Sequence, residues 1–146
     1  MKIYFATDHA GFELKNILKD FVVTELGLVA EDCGAHSFNA VDDYPDFVSI
    51  AATKVAANPE EDRALVLGGS GQGEAMVANR VPGVRATVYY GGQPEIITLS
   101  REHNNANVLS LGARFVTPEE AKEVVRVWLT IQFPGDERHV RRINKF

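Results

Sequence analysis

Residues 64–74 read ALVLGGSGQGE, in which an apolar run passes directly into a turn with four glycines in six residues. The run 64–67 has no polar side chain, so it predicts a strand that is buried on both faces of a sheet. The glycines predict a tight turn, and Glu74 lies where a helix is expected to begin. This stretch therefore predicts a strand, a turn and a helix in succession, which is the repeating unit of α/β folds.

The same succession occurs on the N-terminal side of this stretch. The run 3–7 predicts a strand, and the residues after it place apolar side chains at the spacing of one helix face: Leu14, Ile17, Leu18, Phe21 and Val22. A short strand at 29–33 and a helix at 47–57 are expected before the glycine turn.

The pattern continues on the C-terminal side. The elements expected there are strands at 84–89 and 108–111, and helices at 94–101, from 118 onward and at 137–146. Thr117 is a natural N-cap, with Pro118 at the first helical position and Glu120 as the capping-box partner. The apolar residues of this helix fall on one predicted buried stripe: Ala121, Val124, Val125, Trp128 and Leu129.

Alternating strands and helices with uniformly apolar strands predict a three-layer αβα sandwich. We expect about five parallel strands in a doubly wound, Rossmann-like or flavodoxin-like arrangement. No repeat, low-complexity tract or charge block interrupts residues 1–146, so one domain is expected. Ligands bind such sheets beyond the carboxyl ends of the strands, so the residues directly after each strand are the first candidates for a site.

Composition narrows the classes of partner. The chain has 146 residues and a formal net charge of −5, which gives no general attraction for nucleic acid or acidic lipid. Cys33 is the only cysteine, so neither an internal disulfide nor a cysteine zinc cluster is expected. No signal peptide and no apolar run of membrane-spanning length is predicted. We therefore expect a soluble, cytoplasmic protein.

The glycine turn can hold an anion, because glycines let the backbone approach a ligand and aim N–H groups at it. It lacks the lysine of a P-loop, and the even spacing of Gly69, Gly71 and Gly73 misses the dinucleotide fingerprint. Glu74 would repel a bound phosphate but suits a general base, with the N–H groups stabilising an enediolate. Alternatively, Glu74 only favours the helix dipole.

Other polar residues follow or flank the predicted elements. Asp8 and His9 come directly after the first strand, where Asp8 could instead be a helix cap. His103 lies in the polar cluster 101–107, whose asparagines also suit a turn. Arg138 and Arg142 are four residues apart, so one helix face would carry both and could bind a phosphate, with Arg114 as a third member; a solvated basic face is the alternative.

Taken in order along nearly the whole chain, these segments resemble the ribose-5-phosphate isomerase B family, within the sugar-phosphate isomerases that include the galactose-6-phosphate isomerase subunits. The residues that carry the resemblance are Asp8-His9-Ala10-Gly11, Asp32-Cys33-Gly34, Asp42-Asp43-Tyr44-Pro45, Gly69-Ser70-Gly71-Gln72-Gly73-Glu74, Ala78-Asn79-Arg80, Arg101-Glu102-His103-Asn104-Asn105-Ala106 and Arg138-His139-Val140-Arg141-Arg142. One branch of the family has a cysteine base where this chain has Gly68. The chain resembles the other branch, whose base is a glutamate at the place of Glu74.

The resemblance implies an aldose–ketose isomerase for ribose 5-phosphate and ribulose 5-phosphate, without metal or cofactor. It assigns catalytic roles to Glu74 as base, His103 as ring-opening acid and Asp8 as a proton carrier between O1 and O2. The substrate-binding residues that it implies are Asp8, His9, Gly69, Ser70, Gly71, Gln72, Gly73, Asn104, Arg114, Arg138 and Arg142. It also implies a homodimer or homotetramer with active sites shared between subunits.

Three alternatives stay open at this point. The substrate could be a six-carbon aldose phosphate or a free sugar, since pocket depth depends on loops such as 37–43. The chain could be a non-catalytic sugar-phosphate-binding subunit, although the presence of both Glu74 and His103 speaks against this. A flavodoxin-like electron carrier shares the architecture, but a glutamate in the anion loop and three arginines do not suit FMN.

Overall fold

The computed structural model describes residues 1–146, and a single five-stranded parallel sheet runs through its centre. The strands are β1 (Lys2–Thr7), β2 (Val29–Asp32), β3 (Arg63–Gly68), β4 (Ala86–Tyr89) and β5 (Val108–Gly112). Their order across the sheet is β2-β1-β3-β5-β4. The predicted α/β class and the parallel sheet are confirmed. Compared with the flavodoxin order 2-1-3-4-5, the last two strands exchange places, so β4 forms an edge.

Six α-helices cover the sheet, after a short 3₁₀ turn at His9–Gly11. They are α1 (Phe12–Thr24), α2 (Tyr44–Ala57), α3 (Gln72–Ala78), α4 (Glu95–Asn104), α5 (Pro118–Thr130) and α6 (Glu137–Ile143). The prediction for α4 stopped three residues early, so His103 belongs to its last turn. None of the helices is both long enough and apolar enough to cross a bilayer.

The start of α5 follows its sequence signal with one difference. Thr117 caps the helix by accepting a hydrogen bond from the Glu120 N–H at 3.2 Å, and Pro118 is its first residue. The Glu120 carboxylate does not complete the predicted capping box; it accepts a 2.7 Å bond from the Tyr89 hydroxyl. Because Tyr89 ends β4, this contact ties the edge strand to α5.

Two apolar cores lie on opposite faces of the sheet. The larger packs the sheet against α1 and α5 and contains Trp128, Phe5 and the whole predicted stripe of α5. The smaller packs the other face against α2 and includes Ala78 of α3. Ile17 was predicted to lie on the buried face of α1 but is 39% exposed, so that face is narrower than its spacing indicated.

This arrangement creates a switch point between β1 and β3. The chain leaves β1 toward the face covered by α1 and leaves the neighbouring β3 toward the face covered by α3. Because the two connections diverge, a crevice opens beyond the carboxyl ends of these strands, as in other doubly wound sheets.

A buried ion pair supports the end of β2 beside this crevice. The fully buried Lys15 of α1 donates hydrogen bonds to Asp32 at 2.7 Å and to the Ala35 carbonyl at 2.6 Å. Burial alone would raise the pKa of Asp32, but bonds from Lys15, Lys19 and the Gly34 N–H outweigh it and lower the pKa to about 2. Asp32 is therefore ionised across the physiological range.

Candidate active site

A cavity of 490 Å³ occupies the crevice beyond β1, β3 and β5. This volume falls within the usual range for small-molecule sites. The residues that line the cavity are Asp8, His9, Ala10, Tyr44, Gly69, Ser70, Gly73, Glu74, Arg114 and Phe115. Seven of them were singled out from the sequence because they follow strands or belong to the glycine turn.

Three residues of the glycine turn, Gly69, Ser70 and Gly73, line this cavity. Gly71 has a φ of 77°, a left-handed conformation that favours glycine, and it caps α3. The turn is fixed to β5, because Ser110 Oγ donates to the Gly71 carbonyl at 2.6 Å and the Ala113 N–H donates to the Gly68 carbonyl at 2.8 Å. Gly71 itself is buried behind the turn and Gln72 is exposed, so neither lines the cavity.

The carboxyl group of Glu74 lies at the floor of the cavity, and only 4% of the residue is exposed. Its pKa is raised, mainly because burial disfavours the charged form and also because Asp8 carries a like charge nearby. A carboxyl with a raised pKa is a stronger base than an exposed one, which suits removal of a proton from carbon.

Gly68 makes room for this carboxyl group. A Cβ at residue 68 would overlap the carboxyl carbon and both oxygens of Glu74. The absence of a side chain at the end of β3 is therefore a steric requirement of the Glu74 position. A cysteine at residue 68 and a glutamate oriented in this way at residue 74 exclude each other.

Asp8 and His9 stand at the end of β1, and each has a structural partner. Asp8 is buried and accepts a 2.9 Å hydrogen bond from the Ala10 N–H, so the helix-cap interpretation also holds. Asp42 Oδ1 accepts from the His9 backbone N–H and pairs with His9 Nδ1, both at 2.8 Å. Because a carboxylate only accepts, this contact places the ring proton on Nδ1 and directs Nε2 away from Asp42.

These three residues also form the one group in the structure that could hold a metal ion. Asp8, His9 and Asp42 each offer a ligand atom, and the atoms lie within 4.8 Å of one another. The hydrogen bonds just described already account for the arrangement. The expectation of a metal-free site therefore stays a prediction.

Arg114 and Tyr44 form the walls of the cavity. The guanidinium of Arg114 lies over Gly69, where an added Cβ would be 3.4 Å from its Cζ. The ring of Tyr44 lies against Gly73 in the same way, with Cζ 2.7 Å from an added Cβ. No local sequence pattern assigns a role to Tyr44 or Asp42. Their position at the start of α2 is the feature that could have identified them, because helix N-termini in a parallel α/β fold lie beside the carboxyl-terminal ends of the strands.

The remaining predicted site residues lie at the opposite side of the sheet, beside the amino-terminal ends of the strands, which we call the amino edge. α4 runs antiparallel to the strands, so His103 and Asn104 come just before β5, whereas Arg114 follows it. The length of β5 alone separates these two edges by roughly 13 Å. Asn104 borders a different cavity, of 690 Å³, together with Arg85 and Ile143.

Helix α6 also lies at the amino edge, against the end of α4. The rings of His103 and His139 stack there, with centroids 4.3 Å apart and planes at 14°. Arg138 and Arg142 of α6 are exposed, as a four-residue spacing on one helix face allows. Within one chain Arg114 lies with Glu74, apart from Arg138 and Arg142, so a shared phosphate site for the three arginines stays a prediction that needs a second subunit.

Comparisons with known proteins place this chain in a family. The family model described as Ribose/Galactose Isomerase matches residues 3–146. The ribose-5-phosphate isomerase B of Mycolicibacterium paratuberculosis is 42% identical over 144 residues, covering 99% of this chain and 88% of the relative. The Mycobacterium tuberculosis protein of the same name is 41% identical over 144 residues, with 99% and 86% covered.

Solved structures give the same result. The crystal structure of ribose-5-phosphate isomerase B from Mycoplasma genitalium with bound ribulose 5-phosphate superimposes with a TM-score of 0.93 at 40% identity, covering 99% of this chain and 92% of that one. The Thermotoga maritima ribose 5-phosphate isomerase gives a TM-score of 0.89 at 40% identity, with 99% and 95% covered.

Proposed function

This chain belongs to the Ribose/Galactose Isomerase family, and we propose that it interconverts ribose 5-phosphate and ribulose 5-phosphate with Glu74 as the base. The observation that carries the role of Glu74 is its buried carboxyl group, with a raised pKa, in the cavity that the glycine turn also lines. The sugar phosphate in the Mycoplasma genitalium structure, a protein 40% identical to this chain, supports the choice of substrate.

The reaction moves one proton between neighbouring carbons. In the open-chain aldose, Glu74 removes the C2 proton, and the C–H electrons form the C1=C2 double bond of an enediolate while negative charge develops on O1. Backbone N–H groups of the glycine turn stabilise that charge. Glu74 then returns the proton to C1, and Asp8 transfers a proton between O2 and O1, which yields the ketose.

The site is completed by a second copy of the chain. His103, which opens the sugar ring, and Asn104, which binds a hydroxyl, lie at the edge of the sheet opposite Glu74. In a two-fold dimer the same surface is used by both subunits, so one subunit can bring its amino edge to the carboxyl edge of its partner. Two equivalent sites result, each with Glu74 from one copy and His103 from the other.

Charge supports this arrangement. The cavity of a single chain holds the carboxyl groups of Asp8 and Glu74, and Arg114 is its only permanently charged cation. A phosphate dianion needs more positive charge than this. Arg138 and Arg142 are exposed on α6, close to His103, and supply it when the second copy docks.

The test of the base is Glu74→Gln, which keeps size and hydrogen bonding and removes the ability to take a proton. We expect turnover to fall by at least about 10³-fold, because general base catalysis is lost, with KM changed by less than about threefold. Solvent deuterium should also stop entering C1 of ribulose 5-phosphate, as followed by NMR in D₂O. Turnover near that of the wild type would remove Glu74 from this role.

A substrate panel separates the alternatives. Five- and six-carbon aldose phosphates and their free sugars are assayed with the wild type, and Glu74→Gln serves as the blank. We expect ribose 5-phosphate to give the highest kcat/KM. A six-carbon phosphate that gave a higher value would replace it as the substrate, and no turnover on any sugar would favour a binding subunit.

A further inference from the structure

His139 is the only buried residue of α6, the short helix that carries Arg138 and Arg142. Just 3% of the residue is exposed, whereas both arginines face solvent. A histidine is rarely buried fully without a partner for its ring nitrogens. The contacts of the His139 ring therefore indicate its role.

The first contact is with His103. The two imidazoles stack with centroids 4.3 Å apart and an interplanar angle of 14°. His103 is half-buried at the end of α4, and the flat face of His139 lies against its ring and restricts rotation of that ring. The stack fixes the plane in which the His103 nitrogens can donate or accept a proton.

The second contact is with Arg138. The Arg138 Nε–H donates a 3.1 Å hydrogen bond to His139 Nε2. A guanidinium has donors only, so Nε2 must carry the lone pair, and the ring is the neutral Nδ1–H tautomer. Burial, and then the charges of His103 and Arg138, lower the pKa of His139, which keeps it neutral. The bond uses Nε and leaves both terminal nitrogens of Arg138 for an anion.

We propose that His139 is a positioning residue that orients the ring-opening acid His103 by stacking and the phosphate ligand Arg138 by hydrogen bonding. This inference rests on the proposed function of those two residues. One buried ring thereby couples the group that opens the sugar to a group that binds its phosphate. The two contacts use different parts of the ring, so they can be removed separately.

Two substitutions remove the stacking contact and the hydrogen bond one at a time. His139→Phe keeps a flat ring under His103 and loses the acceptor for Arg138, whereas His139→Gln keeps an acceptor and loses the stacking face. For ribose 5-phosphate we expect His139→Phe to raise KM about fivefold or more with kcat within twofold. We expect His139→Gln to lower kcat about tenfold with KM within twofold. Thermal unfolding and size-exclusion chromatography confirm that each variant is folded and assembled.

Two further measurements test whether His139 acts through its neighbours. Deuterium entry at C1 of ribulose 5-phosphate needs no ring opening, since this ketose phosphate cannot form a five-membered ring. His139→Gln should therefore leave the exchange rate at saturation within twofold of the wild type. In the double variant Arg138→Ala/His139→Phe, KM should be no higher than in Arg138→Ala alone, because the phenylalanine acts through Arg138.

Equal effects of both substitutions on kcat and KM, a reversed split, or unchanged constants would overturn the inference. Should one of the two variants fail to fold, the other still tests its own contact, and additive effects in the double variant would contradict the coupling. If Arg138→Ala itself left KM unchanged, the phosphate role in the proposed function would fail instead.

Discussion

Gly68→Ala tests whether the carboxyl group of Glu74 must lie where the structure has it. An added Cβ would overlap Oε1 and the carboxyl carbon, and even Oε2 would lie only 2.6 Å away. Ordinary C···O contacts are about 3.3 Å or longer, so Oε2 must move by at least roughly 0.7 Å and the overlapping Oε1 by more than about 1 Å. A displacement of about 1 Å in a catalytic group can cost 10²-fold in rate, which corresponds to about 2.7 kcal/mol.

Stability should change little in the same variant. Gly68 does not have a positive φ, so alanine fits its backbone and restricts the unfolded chain by about 0.4–1 kcal/mol. Moving the Glu74 side chain off its rotamer costs about 0.5–1.5 kcal/mol and offsets this gain. We therefore expect kcat to fall on the order of 10²-fold while Tm stays within about 4 °C of the wild type.

The matched control is Gly27→Ala, at a turn with φ 66° and no atom within 4 Å of an added Cβ. Its left-handed backbone makes alanine cost about 1–2 kcal/mol, so Tm should fall by several degrees with kcat unchanged. Steady-state isomerase assays and thermal unfolding measure both variants. If Gly68→Ala kept kcat within about threefold of the wild type, the placement of the base against β3 would be refuted.

Two other measurements follow from the buried charges. The pKa of Glu74 is raised on folding, so its protonated form stabilises the fold at low pH, and this contribution is lost as pH rises through the folded pKa. The difference in Tm between Glu74→Gln and the wild type, taken as variant minus wild type, should therefore increase from pH 4 to pH 7. A difference that stayed constant would contradict the burial of this carboxyl group. Asp32→Asn leaves the buried Lys15 ammonium with a weakened partner, so it should lower the free energy of unfolding in urea at pH 7 by about 3 kcal/mol. Lys19 is the partly exposed partner of Asp32, so Lys19→Ala should lower the free energy of unfolding by less than about 1 kcal/mol. Equal costs would show that burial does not strengthen the pair. As the pKa of Asp32 is lowered to about 2, its contribution should be present above about pH 4 and be lost as pH falls toward 2.

The sequence predicted the central strands best. β1, β3 and β5 are buried along nearly their whole length, so they appear as continuous apolar runs whose bounds are clear. The edge strands are half-exposed and mix polar with apolar residues. For this reason the strand predicted at 84–89 begins two residues later, and Val84 packs against the core from a loop.

The candidate site was predictable only where it follows the strands. The carboxyl-end rule identified Asp8, Glu74 and Arg114, which line one cavity. It gave no reason to expect His103 at the other edge, because a polar helix end before a strand resembles an ordinary turn. The contact of Asp42 with His9 joins residues 33 positions apart, and no local pattern reports it.

In the proposed dimer, Glu74 of one subunit and His103 of the other form one active site. Subunit mixing tests it most directly: inactive Glu74→Gln and His103→Ala proteins are unfolded together, refolded at equal concentration and assayed. Half of the resulting dimers are mixed, and each has one site with both residues intact, so activity should return to about a quarter of the wild-type value. If both residues acted within one chain, mixing would restore no activity, and the shared site would be contradicted.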